Sequence, residues 1–148
     1  MKLEFRIPRR LESPNTWNGR HWRVKHRISQ EWEKEIWTSL AQRTEARSVF
    51  EVLVCMNAMP ELKRNALQKM RVEVERHVPS ARNFIRDDDN LRFSVKPLLD
   101  ALKRQGYIKN DSRKWLEHPM PTQHVSEDGK DYTVVRIEPC EAACTRTL

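Results

Sequence analysis

Arg86-Asp87-Asp88-Asp89-Asn90 sets three carboxylates side by side in the chain. Like charges this close repel unless a cation lies among them. In an extended segment Asp87 and Asp89 project to one side and Asp88 to the other. Two converging carboxylates offer hard oxygen donors, the kind that magnesium takes. A plainer reading stands beside this one. Asp89 caps the helix that follows and its neighbours are solvated, because aspartate suits an N-cap and acids suit that end of the helix dipole.

The residues that follow must position the acids. Leu91, Val95, Leu98 and Leu102 make a buried helical stripe, which predicts a helix from about Asp89 to Gln105 with Gly106 as its stop. At about 100° per residue, Asp89, Phe93, Lys96, Asp100 and Lys103 gather on another face. Asp100 would stand about 16 Å along that helix from Asp89, too far to share a metal unless Pro97 bends the helix. It therefore reads as structural. Gly106 reverses the chain. If Tyr107 and Ile108 run back along the helix, Asp111 returns beside its start as a third carboxylate. The alternative is a turn aspartate preceding Ser112.

Around this segment the periodicity alternates between strand and helix. Leu3, Phe5 and Ile7 alternate with charged residues and predict a half-buried strand. Residues 9–20 carry Pro14, Asn15, Asn18 and Gly19 and predict a loop. Ile28, Trp32, Ile36 and Leu40 place one apolar stripe on a helix from about Trp22 to Ala46. Phe50–Met56 reads as a buried strand, and Pro60–Gln68 as a loop or short helix. Met70, Val72, Val74 and Val78 share one parity and give the clearest strand, ended by Pro79 and Ser80. Its other face carries His77, expected to meet solvent. A last strand is expected near Tyr132–Ile137. The fold class is α/β (α+β): a small mixed sheet with two main helices in one domain, residues 1–138, followed by a tail, residues 139–148.

Composition narrows the partner. Of 148 residues, 28 are Lys or Arg against 21 Asp or Glu, a net charge of +7, so a polyanion is favoured. Trp17, Arg20, His21, Trp22, Arg23, Lys25, His26 and Arg27 interleave cations with rings, a pattern suited to gripping phosphates and stacking on unpaired bases. The competing assignment puts Trp22 in the helix core and the cations on its solvated face. No apolar run approaches the length needed to cross a bilayer. The opening Met1-Lys2-Leu3-Glu4-Phe5 has no signal-peptide core, so a cytoplasmic location is expected. Cys55, Cys140 and Cys144 form neither a disulfide framework nor a zinc pattern, and Cys55 reads as core.

Asp87-Asp88-Asp89-Asn90-Leu91, then Lys96-Pro97-Leu98-Leu99-Asp100-Ala101-Leu102, then Gly106 and Asp111, together resemble the RusA family of Holliday junction resolvases. The family pattern is D-x-D-N-L, a following lysine, a D-A-L helix, a glycine and an acid pair. The likeness covers residues 70–115. It implies a homodimer that cuts branched DNA, four-way junctions, by paired nicks with magnesium. Asp87, Asp89 and Asp111 would be the metal-binding acids, and Asn90 the asparagine that supports them. The family lysine falls four residues after the second motif acid, where this chain has Phe93. Lys96, one turn on, would take its role toward the scissile phosphate. Arg92 points about 100° away and joins Arg20, Arg23, Lys25 and Arg27 as an expected DNA contact. Asn110-Asp111 stands where the family has an acid pair, so one carboxylate is missing. The two departures keep two further readings open: a junction-binding protein of the same fold with weak or no catalysis, and an RNA-binding domain.

Overall fold

The computed structural model describes residues 3–43 and 68–140, with residues 40–43 described at the backbone only. The strand expected at Phe50–Met56, the segment Pro60–Gln68 apart from its last residue, Cys55, the Leu40 side chain and the tail beyond Cys140 lie outside this description. The architecture is α+β. Strands β1 (Leu3–Ile7), β2 (Met70–Val78), β3 (Leu116–Glu117), β4 (Thr122–Val125) and β5 (Tyr132–Pro139) form one mixed sheet. Helices α1 (Trp22–Arg43), α2 (Asp88–Ser94) and α3 (Lys96–Arg104) supply the rest.

The sheet runs β1-β5-β2-β3, with β4 also pairing β2. β5 is antiparallel to both β1 and β2, while β3 and β4 run parallel to β2. Alternation fixes the register, since a slip of one residue would turn the apolar row to the other face. Leu3 and Val72 both oppose Ile137, and Phe5 and Val74 both oppose Val135. These rows pack with Trp32 and Ile36 of α1 and Leu98, Leu99 and Leu102 of α3 in one core. On the other face Arg136 bonds Glu4 at 2.6 Å and also Glu75, tying three strands together.

The helix expected over Asp89–Gln105 is two helices. Val95 ends α2 and begins α3, and Pro97 sits in the first turn of α3. Proline has no N–H to give the preceding turn and its ring crowds the carbonyl four residues back, so the helix breaks there and restarts. The apolar stripe survives the break: Leu91, Val95, Leu98 and Leu102 are all buried. α1 lies along α3, where Ser29 donates to the Pro97 carbonyl at 3.3 Å and Gln105 to the Glu33 carbonyl at 2.7 Å.

His77 does not simply face solvent. Its ring stacks on Tyr132 at 4.2 Å and on His124 at 5.0 Å, across β5, β2 and β4. β3 and β4 were not expected from sequence; they complete the edge beside β2.

Leu98 is fully buried in the core that α3 shares with α1 and the sheet. Leu98→Ala is expected to lower unfolding free energy by about 2–5 kcal/mol, read from urea denaturation. A loss under about 1 kcal/mol would mean that α3 does not pack as described.

Candidate functional site

The break at Val95 decides where the acids sit. Asp87 is the N-cap of α2, with an extended backbone, and its Oδ1 accepts from the Asn90 N–H at 2.8 Å. The cap is thus Asp87 and not Asp89. Asp88 and Asp89 fall in the first helical turn, where the helix dipole favours them. The alternation of an extended chain therefore does not apply to Asp89, which is exposed on the helix.

Asp111 returns as expected, but to the start of α3. Gly106 adopts φ 82°, a left-handed turn that suits glycine. Tyr107 and Ile108 are buried and anchor the returning chain. Asp111 then hydrogen-bonds Lys96, the first residue of α3. Lys96 also reaches Asp100 at 3.2 Å, and Lys103 lies 3.5 Å from Asp100 and 3.9 Å from Asp111. Two lysines and two carboxylates form one alternating cluster. Asp100, taken as structural, belongs to it.

The cluster holds its own charge states. Hydrogen bonding to Lys96 moves the Asp111 pKa down, against a smaller opposing effect of burial. Partial burial opposes the charge on Lys96, yet the bond to Asp111 and the field of Asp100 outweigh it and raise its pKa. Both groups stay ionised at neutral pH.

Beside Asp111 opens a cleft of about 500 Å³, lined also by Arg92, Arg113, Lys69 and His118. Burial first, and then the Arg92 charge, lower the His118 pKa, so its ring is neutral at pH 7 and able to accept a proton. His118 was not singled out in the sequence, where nothing in its spacing marks it. Asp87 and Asn90 line a different cleft, of about 620 Å³, with Arg76, Arg82 and Arg86.

The expected DNA contacts are at the surface. Arg20, Arg23, Lys25, Arg27 and Arg92 are exposed. Trp22 is 63% exposed, so it does not belong to the core of α1. Its ring lies 5.6 Å from His21 and 6.5 Å from His26, and Arg23 stands over it at 5.6 Å. Lys25 lies 5.9 Å over Trp17. This is a cationic, aromatic surface at the start of α1. Phe93, where the resemblance calls for a lysine, is 58% exposed.

Magnesium fits the donor chemistry of Asp87, Asp89 and Asp111, all carboxylates on exposed or half-exposed positions. Among the described residues, no three His, Cys, Asp or Glu side chains converge closely enough to hold a metal ion. Asp111 is neutralised by lysines instead. No helix among the described residues is long and apolar enough to cross a membrane. No protein-family model matches the chain, and no curated protein matches it significantly.

The direction of the Asp111 shift carries a pH dependence. A carboxylate held below its unfolded value of about 3.9 adds stability above that pH and loses it as pH falls through the folded pKa. In metal-free buffer, Asp111→Asn is expected to cost up to about 1 kcal/mol at pH 7, since the pair is partly exposed. The difference from wild type should shrink as pH falls below about 4. A difference that grows on acidification, in urea melts at pH 7 and pH 3, would contradict this.

Proposed function

We propose that this chain is a magnesium-dependent endodeoxyribonuclease that cuts four-way DNA junctions, working as a cytoplasmic homodimer. The observation that carries the reading is the order and placement of the motif. Asp87–Asn90 opens α2, Lys96 opens α3, and Asp111 is held against Lys96. The resemblance to the RusA family, the net positive charge and the exposed basic and aromatic start of α1 point the same way.

In this reading Asp87, Asp89 and Asp111 would hold the metal, which when bound would lower the pKa of water and offset charge on the phosphoryl oxygens. Lys96 stays protonated between its carboxylates and gives a charged donor for the scissile phosphate. Arg92 and Arg113 line the cleft beside Asp111 and suit the neighbouring backbone. Arg20, Arg23, Lys25 and Arg27 grip phosphates farther along the arms. A two-fold dimer would present two sites to a junction of matching symmetry.

A second reading, a junction-binding protein without catalysis, draws on a specific observation. Lys96 and Lys103 already neutralise Asp100 and Asp111, and no third acid joins them among the described residues. In that case the cluster is a brace for the loop after α3.

A labelled four-way junction incubated with magnesium or chelator separates the two. Wild type should nick paired strands only with magnesium. Asp89→Asn should slow cutting by roughly 100-fold or more while binding is kept. Binding without cutting would support the second reading, and neither binding nor cutting would sink both. Binding should also weaken steeply with salt. Arg23→Ala should lower the slope of log affinity against log salt by about one. An unchanged slope would remove Arg23 from the contact surface.

A further inference from the structure

β2 buries alternate residues from Met70 to Val78, and one of them is charged. Arg76 occupies the apolar parity and is 3% exposed. Its Nε donates to the Leu11 carbonyl at 2.7 Å, and its Nη1 to the Asn83 carbonyl at 2.8 Å and to Gln123 Oε1 at 3.1 Å. All three partners are neutral. No carboxylate among the described residues forms an ion pair with it. Asp131 contributes an attractive field but forms its ion pair with Arg10, at 3.6 Å. Guanidinium does not give up its proton in proteins, so a full positive charge is held inside the fold with no carboxylate in direct contact among the described residues.

That charge borders the cleft which also contains Asp87 and Asn90. Arg10, Arg82 and Arg86 line the same cleft, against two carboxylates, Glu12 and Asp87. Arg82 and Arg86 are exposed and pair with no carboxylate among the described residues. Gln123 fixes the approach: besides accepting from Arg76, it exchanges two hydrogen bonds of 2.9 Å with the backbone of Ile85, just before Arg86. The buried arginine is thus oriented by neutral groups, and two exposed arginines line the same cleft.

We propose that this cleft is an anion site that seats one phosphate group of a nucleic-acid strand, oriented by Arg76 and closed by Arg82 and Arg86. The phosphate would lie beside Asp87 and fix the strand relative to the motif acids, as a positioning contact and not a reacting group. The anion site stands on its own residues. Naming its ligand as a nucleic-acid phosphate rests on the function proposed above. A purely structural role for Arg76, clamping the N-terminal loop, the turn at Ala81–Asn83 and β4, requires no ligand in the cleft.

The test follows the Arg76 Nε–H resonance in arginine-labelled full-length protein, because that proton is buried and hydrogen-bonded. Inorganic phosphate, the dinucleotide pdTpdT and thymidine are titrated separately. Phosphate and pdTpdT should move the resonance saturably, pdTpdT at lower concentration, and thymidine should not. Arg82→Ala and Arg86→Ala, which leave the buried network intact, should each weaken binding roughly tenfold. Lys34→Ala, on exposed α1, should change nothing. A resonance unmoved by phosphate, or affinities unchanged in both arginine variants, would overturn the site. A response to thymidine alone would overturn the phosphate assignment. A response to phosphate but not to pdTpdT would overturn the nucleic-acid assignment. The junction assay reads the nuclease proposal separately, so neither failure can be mistaken for the other.

Discussion

The bond between Lys96 and Asp111 joins the two halves of the candidate site. It ties the loop that returns from Gly106 to the first residue of α3, and Asp100 and Lys103 complete the neutralisation. The placement depends on proline. With an unbroken helix from Asp89 to Gln105, Lys96 would lie mid-helix. Pro97 makes a second helix start at Lys96, and the returning aspartate meets it there. A lysine between two carboxylates does for charge what a metal would do, and this is the choice that separates the two functional readings.

The framework was legible because its strands and helices alternate at their proper periods. β1, β2 and β5 show period two on one face, and Trp32 and Ile36 carry the stripe of α1. Where legibility failed, the physics names the reason. The stripe Leu91, Val95, Leu98, Leu102 continues through the break, so periodicity alone read one helix where Pro97 makes two. β3 has only two residues, and β4 is mostly exposed and polar, with pairing to β2 that leaves no pattern in its side chains. His77 was placed on the outer face correctly, yet the rings of Tyr132 and His124 that cover it come from distant segments.

The site was legible in part. Asp87, Lys96 and Asp111 were chosen by type and order, and Lys96 and Asp111 do meet. The cap fell on Asp87 because its carboxylate reaches the Asn90 N–H, which puts Asp89 inside the helix. Arg76 was visible in principle, as the charged member of an apolar parity, but its neighbours filled the pattern and hid it. Its partners Leu11, Asn83 and Gln123 come from three separate segments, which spacing does not foretell. Cations also gather elsewhere: exposed at the start of α1, and lining the two clefts that hold Asp87 and Asp111.

The proposed nuclease requires that Asp87, Asp89 and Asp111 serve one divalent ion. Manganese, a paramagnetic substitute for magnesium, can be titrated into the protein bound to a cleavage-resistant four-way junction while backbone amide signals are followed. With a shared ion, the amides of residues 87–90 and 111 should broaden together with a single affinity, and magnesium should reverse the effect. Broadening confined to residues 87–90, with Asp111 and Lys96 untouched at saturation, would contradict it.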